Sequence, residues 1–285
     1  MSQAQAIFNG LRDGAPTYLV TVDGTPYRIG TTGRPGSPRS TLSADGRWLA
    51  RGRPDGWVIR DLESTREHRA PADLQPVAWS GRSLYWSARY DAYRVMDLAS
   101  GRLDPAPFTV SATASSLQVI SEQEAAVTDA IETMRDDRHP RMRVFDVRTG
   151  SDVRTVTLDL TAHLRPGEHS VIYLIPLMHT GGTPRRLWIP VGAEPATPGP
   201  EAQPNLEVAA LEVDLADGRV VSRVDWSPPR RGDATSLSGA VPDGAVLTHS
   251  TSDSTEVIVV PAGGTRRTVT RIAGLVAVYP AGRPF

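Results

Sequence analysis

The stretch Tyr93-Arg-Val-Met-Asp97-Leu-Ala-Ser-Gly101 decides the fold, because it occurs again at three other places. The further copies are Trp57-Val-Ile-Arg-Asp61-Leu-Glu-Ser64, Met142-Arg-Val-Phe-Asp146-Val-Arg-Thr-Gly150 and Val208-Ala-Ala-Leu-Glu-Val-Asp214-Leu-Ala-Asp-Gly218. Each is a β-branched, alternating run that ends in an acidic residue and then a small, glycine-rich turn. The aspartate acts locally, its carboxylate accepting from backbone N–H groups of the turn that follows. Glu256-Val-Ile-Val-Val-Pro-Ala-Gly-Gly264 and Pro26-Tyr-Arg-Ile-Gly-Thr-Thr-Gly33 read as degenerate copies without the aspartate, so six units result.

A second strand precedes each unit, often led in by a turn, as in Ser43-Ala-Asp-Gly-Arg-Trp-Leu-Ala50, Ser80-Gly-Arg-Ser-Leu-Tyr-Trp-Ser87 and Val241-Pro-Asp-Gly-Ala-Val-Leu-Thr248. A third follows, as in Val153-Arg-Thr-Val-Thr-Leu-Asp159, Arg219-Val-Val-Ser-Arg-Val-Asp-Trp226 and Arg266-Arg-Thr-Val-Thr-Arg-Ile272. With an innermost strand in front, the module is four-stranded, the blade of an all-β propeller. The blades are expected at roughly 37–72, 73–109, 110–160, 161–228 and 229–271. A sixth combines 272–285 with 16–36, closed by Leu275 to Pro280 pairing with Tyr18 to Asp23 and Tyr27 to Thr31, which leaves no open sheet edge at the chain ends. Residues 1–15 read as a tail ahead of this single domain. Seven blades are the alternative count.

The aspartates are spaced unevenly, at 36, 49 and 68 residues. The longest interval contains Gly192-Ala-Glu-Pro-Ala-Thr-Pro-Gly-Pro-Glu-Ala-Gln-Pro204, an inserted proline-rich loop. Ser121 to Met134 resists the pattern: Ala126, Val127, Ala130, Ile131 and Met134 recur at helical spacing behind a Ser121/Glu124 capping pair. Local periodicity predicts a helix there and the repeat predicts a strand; the repeat is preferred.

Composition agrees with this architecture and removes several chemistries. Glycine (25) and proline (24) make up about a sixth of 285 residues, an excess that favours turns over a helical bundle. All 31 basic residues are arginine, against 32 acidic ones, for a net charge of −1. That balance predicts neither a nucleic-acid binder nor a membrane-surface binder. With no lysine there is no Schiff-base amine or phosphate-loop lysine, and with no cysteine no thiol nucleophile, disulfide or zinc–thiolate site. Met1 to Gly14 has neither a basic nor an apolar leader region, and the apolar runs fall short of the ~18 residues that span a bilayer. A cytoplasmic protein without membrane insertion is expected, with the outer domain of a trimmed, anchored protein as the alternative.

The Asp-Gly-Arg-Trp-Leu-Ala turn and strand at 45–50, with the Val/Ile-x-Asp-Leu-x-x-Gly endings, resembles the WD-repeat-like, TolB-type propellers of bacteria. The resemblance implies a rigid, non-catalytic platform for proteins or peptides. An arginine-only, Ala- and Pro-rich composition also fits a high-GC bacterial genome.

Candidate chemistry is sparse. Among the six histidines, His163, His169 and His179 crowd together with Glu168, at a spacing that matches no metal-ligand motif. Only two asparagines exist, Asn9 and Asn205, too few for the channel ligands of calcium lactonases, which the propeller resemblance brings into comparison. Ser43-Ala-Asp45-Gly46-Arg-Trp48 falls two residues short of a sialidase Asp-box, and no Gly-x-Ser-x-Gly elbow is present. No cofactor, metal or catalytic residue is assigned. Trp48, Trp57, Trp79, Tyr85, Trp86 and Trp226 read as core between blades. The binding candidates are loops joining the second and third strands of each blade: Arg53 and Asp55; Arg89, Tyr90 and Asp91; Asp136, Asp137, Arg138 and His139. A protein or peptide partner is expected there. A channel-mouth hydrolase or lyase and a small-molecule or glycan binder are the alternatives.

Overall fold

The computed structural model describes residues 3–10, 14–31, 40–89, 92–110, 117–171, 177–178, 186–193, 206–226, 233–241, 244–261, 264–274 and 276–280. The chain opens with β1 (Ala4–Gly10), β2 (Pro16–Thr21) and β3 (Pro26–Thr31). Blade 1 follows as β4 (Ser40–Leu42), β5 (Trp48–Arg53), β6 (Gly56–Asp61) and β7 (Glu67–Ala70). Blade 2 is β8 (Gln75–Ser80), β9 (Ser83–Arg89), β10 (Ala92–Asp97) and β11 (Leu103–Pro105). Blade 3 is β12 (Gln118–Val119), β13 (Glu124–Thr128), β14 (Arg141–Asp146) and β15 (Asp152–Thr157), with a helix α1 (Ala130–Arg135) between its second and third strands. Blade 4 contains β16 (Glu168–Ser170), β17 (Leu177–Met178), β18 (Arg186–Ala193), β19 (Leu206–Asp214) and β20 (Val220–Asp225). Blade 5 is β21 (Ala234–Val241), β22 (Gly244–Ser250), β23 (Ser254–Pro261) and β24 (Arg267–Ala273), and β25 (Val276–Pro280) is the last strand among the described residues.

Every pairing within a blade is antiparallel, in sequential order from inner to outer strand. In blade 4, β16 and β17 pair with the two ends of β18, so together they take the innermost position. The sixth blade runs β25-β1-β2-β3, one strand from the C-terminal end of the chain and three from its beginning. The molecule is therefore an all-β, six-bladed propeller of four-stranded antiparallel blades.

Ring closure differs from the sequence expectation in its partner. β25 pairs with β1, Phe8 opposite Val278, and Tyr18 lies one strand further out. Residues 4–10, read from sequence as tail, belong inside the blade because Ala4, Ala6, Ile7 and Phe8 are apolar and buried, and such a strand gains most between two others. The 121–134 stretch resolves as both alternatives in succession. Glu124–Thr128 is a strand, and α1 starts where Asp129 accepts from the N–H groups of Ile131 and Glu132 at 2.8 and 3.0 Å. Ser121 caps the turn before the strand, accepting from Gln123 N and Glu124 N.

The repeated aspartates bond the turns as expected. Asp61 accepts from Glu63 N, Asp97 from Ser100 N, Asp146 from Arg148 N and Thr149 N, and Asp214 from Ala216 N. Glycines that close two of these turns also seat one blade on the preceding one. Gly150 and Gly218 have φ near +73° and +77°, and a Cβ on them would meet Pro107 O at 2.5 Å and Thr157 O at 2.2 Å.

Burial sorts into six apolar clusters, one at each junction between neighbouring blades. Trp48, Trp57, Trp79 and Trp86 fill the junction of blades 1 and 2, while Ala4, Ile7, Leu19, Leu42 and Leu49 fill that of blades 6 and 1. Strand alternation sends each blade's two side-chain rows to its two neighbours, and both rows must be apolar where blades touch. No helix among the described residues is long and apolar enough to cross a membrane.

Candidate functional site

Antiparallel order puts the connections between second and third strands on one face of the ring, with those from each outer strand to the next inner strand. The aspartate turns lie on the opposite face. Arg53 and Asp55 sit on the first of these faces at the β5–β6 hairpin, both exposed. Arg89 ends β9 there; its side chain, Tyr90 and Asp91 lie outside the described residues, as do His179 and 194–205 of the proline-rich loop. Asp136, Asp137, Arg138 and His139 follow α1 in the connection to β14, two blades from Arg53.

The 136–139 segment is tied down rather than loose. His139 Nδ1 lies 3.2 Å from both carboxylate oxygens of Asp136, and its Nε2 lies 3.1 Å from Thr161 Oγ1 and 3.8 Å from Asp159 Oδ1. Thr161 N donates to Asp159, Arg138 O accepts from Leu160 N, and Asp137 O accepts from Ser170 Oγ at 2.8 Å. Burial pushes the Asp136 carboxyl up, but hydrogen bonds from His139 and the backbone hold it below its ordinary value. Hydrogen bonds from the Thr161 backbone and hydroxyl hold Asp159 down likewise. The order carboxylate, imidazole, hydroxyl is that of a nucleophile relay. Here the His139 side chain is 48% exposed and the Asp159 side chain 74%, so the hydroxyl stands in solvent, without the water-excluded surroundings that would stabilise charge in a transition state. The network joins two loops of the face.

Sequence reading missed what stands beside this network. α1 is six residues long, too short to persist alone. It is held by the Asp129 cap, by Thr133 Oγ1 donating to Asp129 O at 2.7 Å and by burial of Thr133. So fixed, it turns Ile131 and Met134 outward, 42% and 62% exposed and three residues apart on one helical side. Their helical spacing was visible in the sequence; their exposure was not.

The clustered histidine segment has other roles. Glu168 pairs with Arg223 through two hydrogen bonds of 2.8 and 2.9 Å and also accepts from Arg165 N. His163 belongs to a short 3-10 turn, and His169 lies against Gly192. Among the described residues, no group of three or more His, Asp or Glu is placed to hold a metal ion. The Ser43–Trp48 segment is a turn, with Ser43 Oγ donating to Asp45 and accepting from Trp48 N.

No protein-family model matches the chain, and no curated protein does. Solved propellers are similar in outline. Kluyveromyces lactis Hsv2 aligns over 93% of this chain and 85% of its own, at 9% identity and a TM-score of 0.44. The dihydro-heme d1 dehydrogenase NirN, in complex with DHE, aligns over 97% and 74%, at 13% and 0.44. The N-terminal domain of Nup159 aligns over 91% and 74%, at 13% and 0.43.

Proposed function

We propose that this propeller is a non-catalytic platform that binds a protein or peptide partner on the face carrying its second-to-third-strand loops. The observation that carries this reading is α1. Two large apolar side chains, Ile131 and Met134, are held out to solvent on a capped helix. An apolar pair fixed at the surface gains by being covered, and a charged rim of Asp136, Asp137, Arg138 and His139 around it has the composition of an interface edge. Arg53 and Asp55 on blade 1, with Arg89, Tyr90 and Asp91 on blade 2, extend the contact. The resemblance of the repeat to the WD-repeat-like, TolB-type propellers of bacteria supports the same role.

The test compares partner capture from a lysate of the source cell by the intact protein and by Ile131→Ser/Met134→Ser. The variant is expected to lose a protein that the intact chain retains, with its thermal midpoint within about 2 °C, because both side chains are already exposed. An unchanged set of captured proteins overturns the assignment of this face.

A further inference from the structure

The junction of blades 6 and 1 opens outward into a cleft of about 360 Å3. Its wall on blade 1 is built by strand alternation. Leu49, Arg51 and Arg53 leave β5 on one face, with Arg60 opposite Leu49 and Val58 opposite Arg51 on β6. β3 of blade 6 supplies Arg28 from the other side. The inner end is apolar, Leu49 and Val58 being 7% and 8% exposed, and Arg53, Arg60 and Arg28 stand exposed around it.

Counter-charge around the four arginines is sparse, with Glu67 of β7 opposite Arg60 in the strand register. Among the described residues, none of them is in an ion pair. Glu67 is the sole carboxylate among the described residues of the cleft wall, and it lies 3.8 Å from Arg69 instead. The adjoining sequence 32–39 contains Arg34 and Arg39 and no acidic residue. Arg51 is the structural member: it donates to Ile29 O and its guanidinium lies against Gly30, where a Cβ would collide with it. Burial, and then the neighbouring charge of Arg53, push its pKa down. Since arginine is the only basic residue of this chain, the placement carries the information and the residue type does not.

We infer that this cleft binds an extended acidic peptide segment whose carboxylates alternate with apolar side chains. Exposed guanidinium groups present paired donors that match carboxylates. The apolar inner end takes aliphatic side chains between them. β3 pairs with β2 alone among the described strands, so its outer edge offers main-chain groups to an added strand. A polyphosphate backbone has nothing to place on Leu49 and Val58, whereas a peptide with alternating aliphatic side chains does. The site shares only Arg53 with the loop face, so Arg28 and Arg60 test it separately.

The experiment uses the full chain and a fluorescein-labelled peptide, Glu-Asp-Leu-Glu-Ile-Asp-Glu, read by fluorescence anisotropy. The acidic peptide is expected to bind at least about tenfold more tightly than its Gln/Asn counterpart, and to weaken several-fold between about 50 and about 300 mM salt. Arg28→Gln/Arg60→Gln is expected to weaken it about tenfold with an unchanged thermal midpoint, while Ile131→Ser/Met134→Ser binds it like the intact protein. Equal binding of the two peptides, no binding of either, or unchanged binding by the arginine variant overturns the inference. So does displacement of the peptide by single-stranded DNA or phosphatidylserine vesicles at a lower concentration than the unlabelled peptide requires, which assigns the cleft to phosphates. If the probe fails while the Ile131/Met134 variant loses its captured partner, the loop-face reading stands and this one falls.

Discussion

The two faces of blade 1 come from the same strands and have opposite fates. Toward blade 2, Trp48, Ala50, Trp57 and Ile59 are at most 5% exposed and pack against Trp79 and Trp86. Trp57 meets Trp86 edge-on at 5.8 Å and donates to Leu74 O at 2.7 Å, and Trp79 donates to Thr41 Oγ1 at 3.0 Å. Toward blade 6, Leu42, Leu49 and Val58 are buried at the inner end, and Arg51, Arg53 and Arg60 line an open cleft further out. A period of two lets one hairpin hold the ring together with one row of side chains and keep the other row partly free. In blade 1 the row toward blade 2 is buried throughout, while the row toward blade 6 is apolar at its inner end and charged further out.

Four substitutions break or sharpen that contrast. Trp57→Ala removes a buried aromatic and its indole hydrogen bond and is expected to cost about 3–5 kcal/mol, read as a lowered urea midpoint. Asp61→Asn comes next. This carboxylate is fully buried at the end of β6, one residue after the exposed Arg60, and is gripped by Arg47 at 2.8 and 3.1 Å. The Arg47 hydrogen bonds, against the cost of burial, hold its pKa well below the usual carboxylate range. A depressed folded-state pKa means that its stabilisation is complete above the ordinary carboxylate pKa and is lost as pH falls through the acid range. The variant is expected to lose about 1.5–3 kcal/mol at pH 7 and to show a flatter decline of its denaturation midpoint between about pH 5 and pH 3. An unchanged slope means that Arg47 and Asp61 are not coupled in solution.

Gly218→Ala tests the joint between blades 3 and 4, where φ is +77° and Thr157 O leaves no room for a Cβ. A loss of about 1–3 kcal/mol is expected in the same denaturation assay. Arg60→Gln is expected to change stability by less than about 0.5 kcal/mol, since its side chain is exposed and in no ion pair among the described residues. If Arg60→Gln destabilises as much as Trp57→Ala, the contrast between the faces is wrong and the arginine row is part of the core.

Much of the architecture was readable from local chemistry. The Asp97–Gly101 pattern and its copies set strand, turn and period together, and their carboxylates bond the turns as the residue types predict. The candidate sites were less readable. Ile131 and Met134 carried a helical period, but a six-residue helix depends on the Asp129 cap and buried Thr133. Arg28 stands far from Arg51 and Arg60 in sequence, and nothing in either neighbourhood signals the other. The opening strand was misread for a similar reason: Ala4–Gly10 is short and contains one strongly β-forming residue pair, Ile7-Phe8, and its place follows from pairing with a segment near the opposite end of the chain.

By itself, the sequence determined that this protein is all-β, repeats a four-stranded unit and builds its turns on aspartate and glycine, because alternation and turn bonding act between residues a few positions apart. Tertiary structure decided which strand closes the ring, which side-chain row of blade 1 stays open, and that Ile131 and Met134 face solvent. Those outcomes depend on contacts between segments far apart in the chain, formed only when the blades meet.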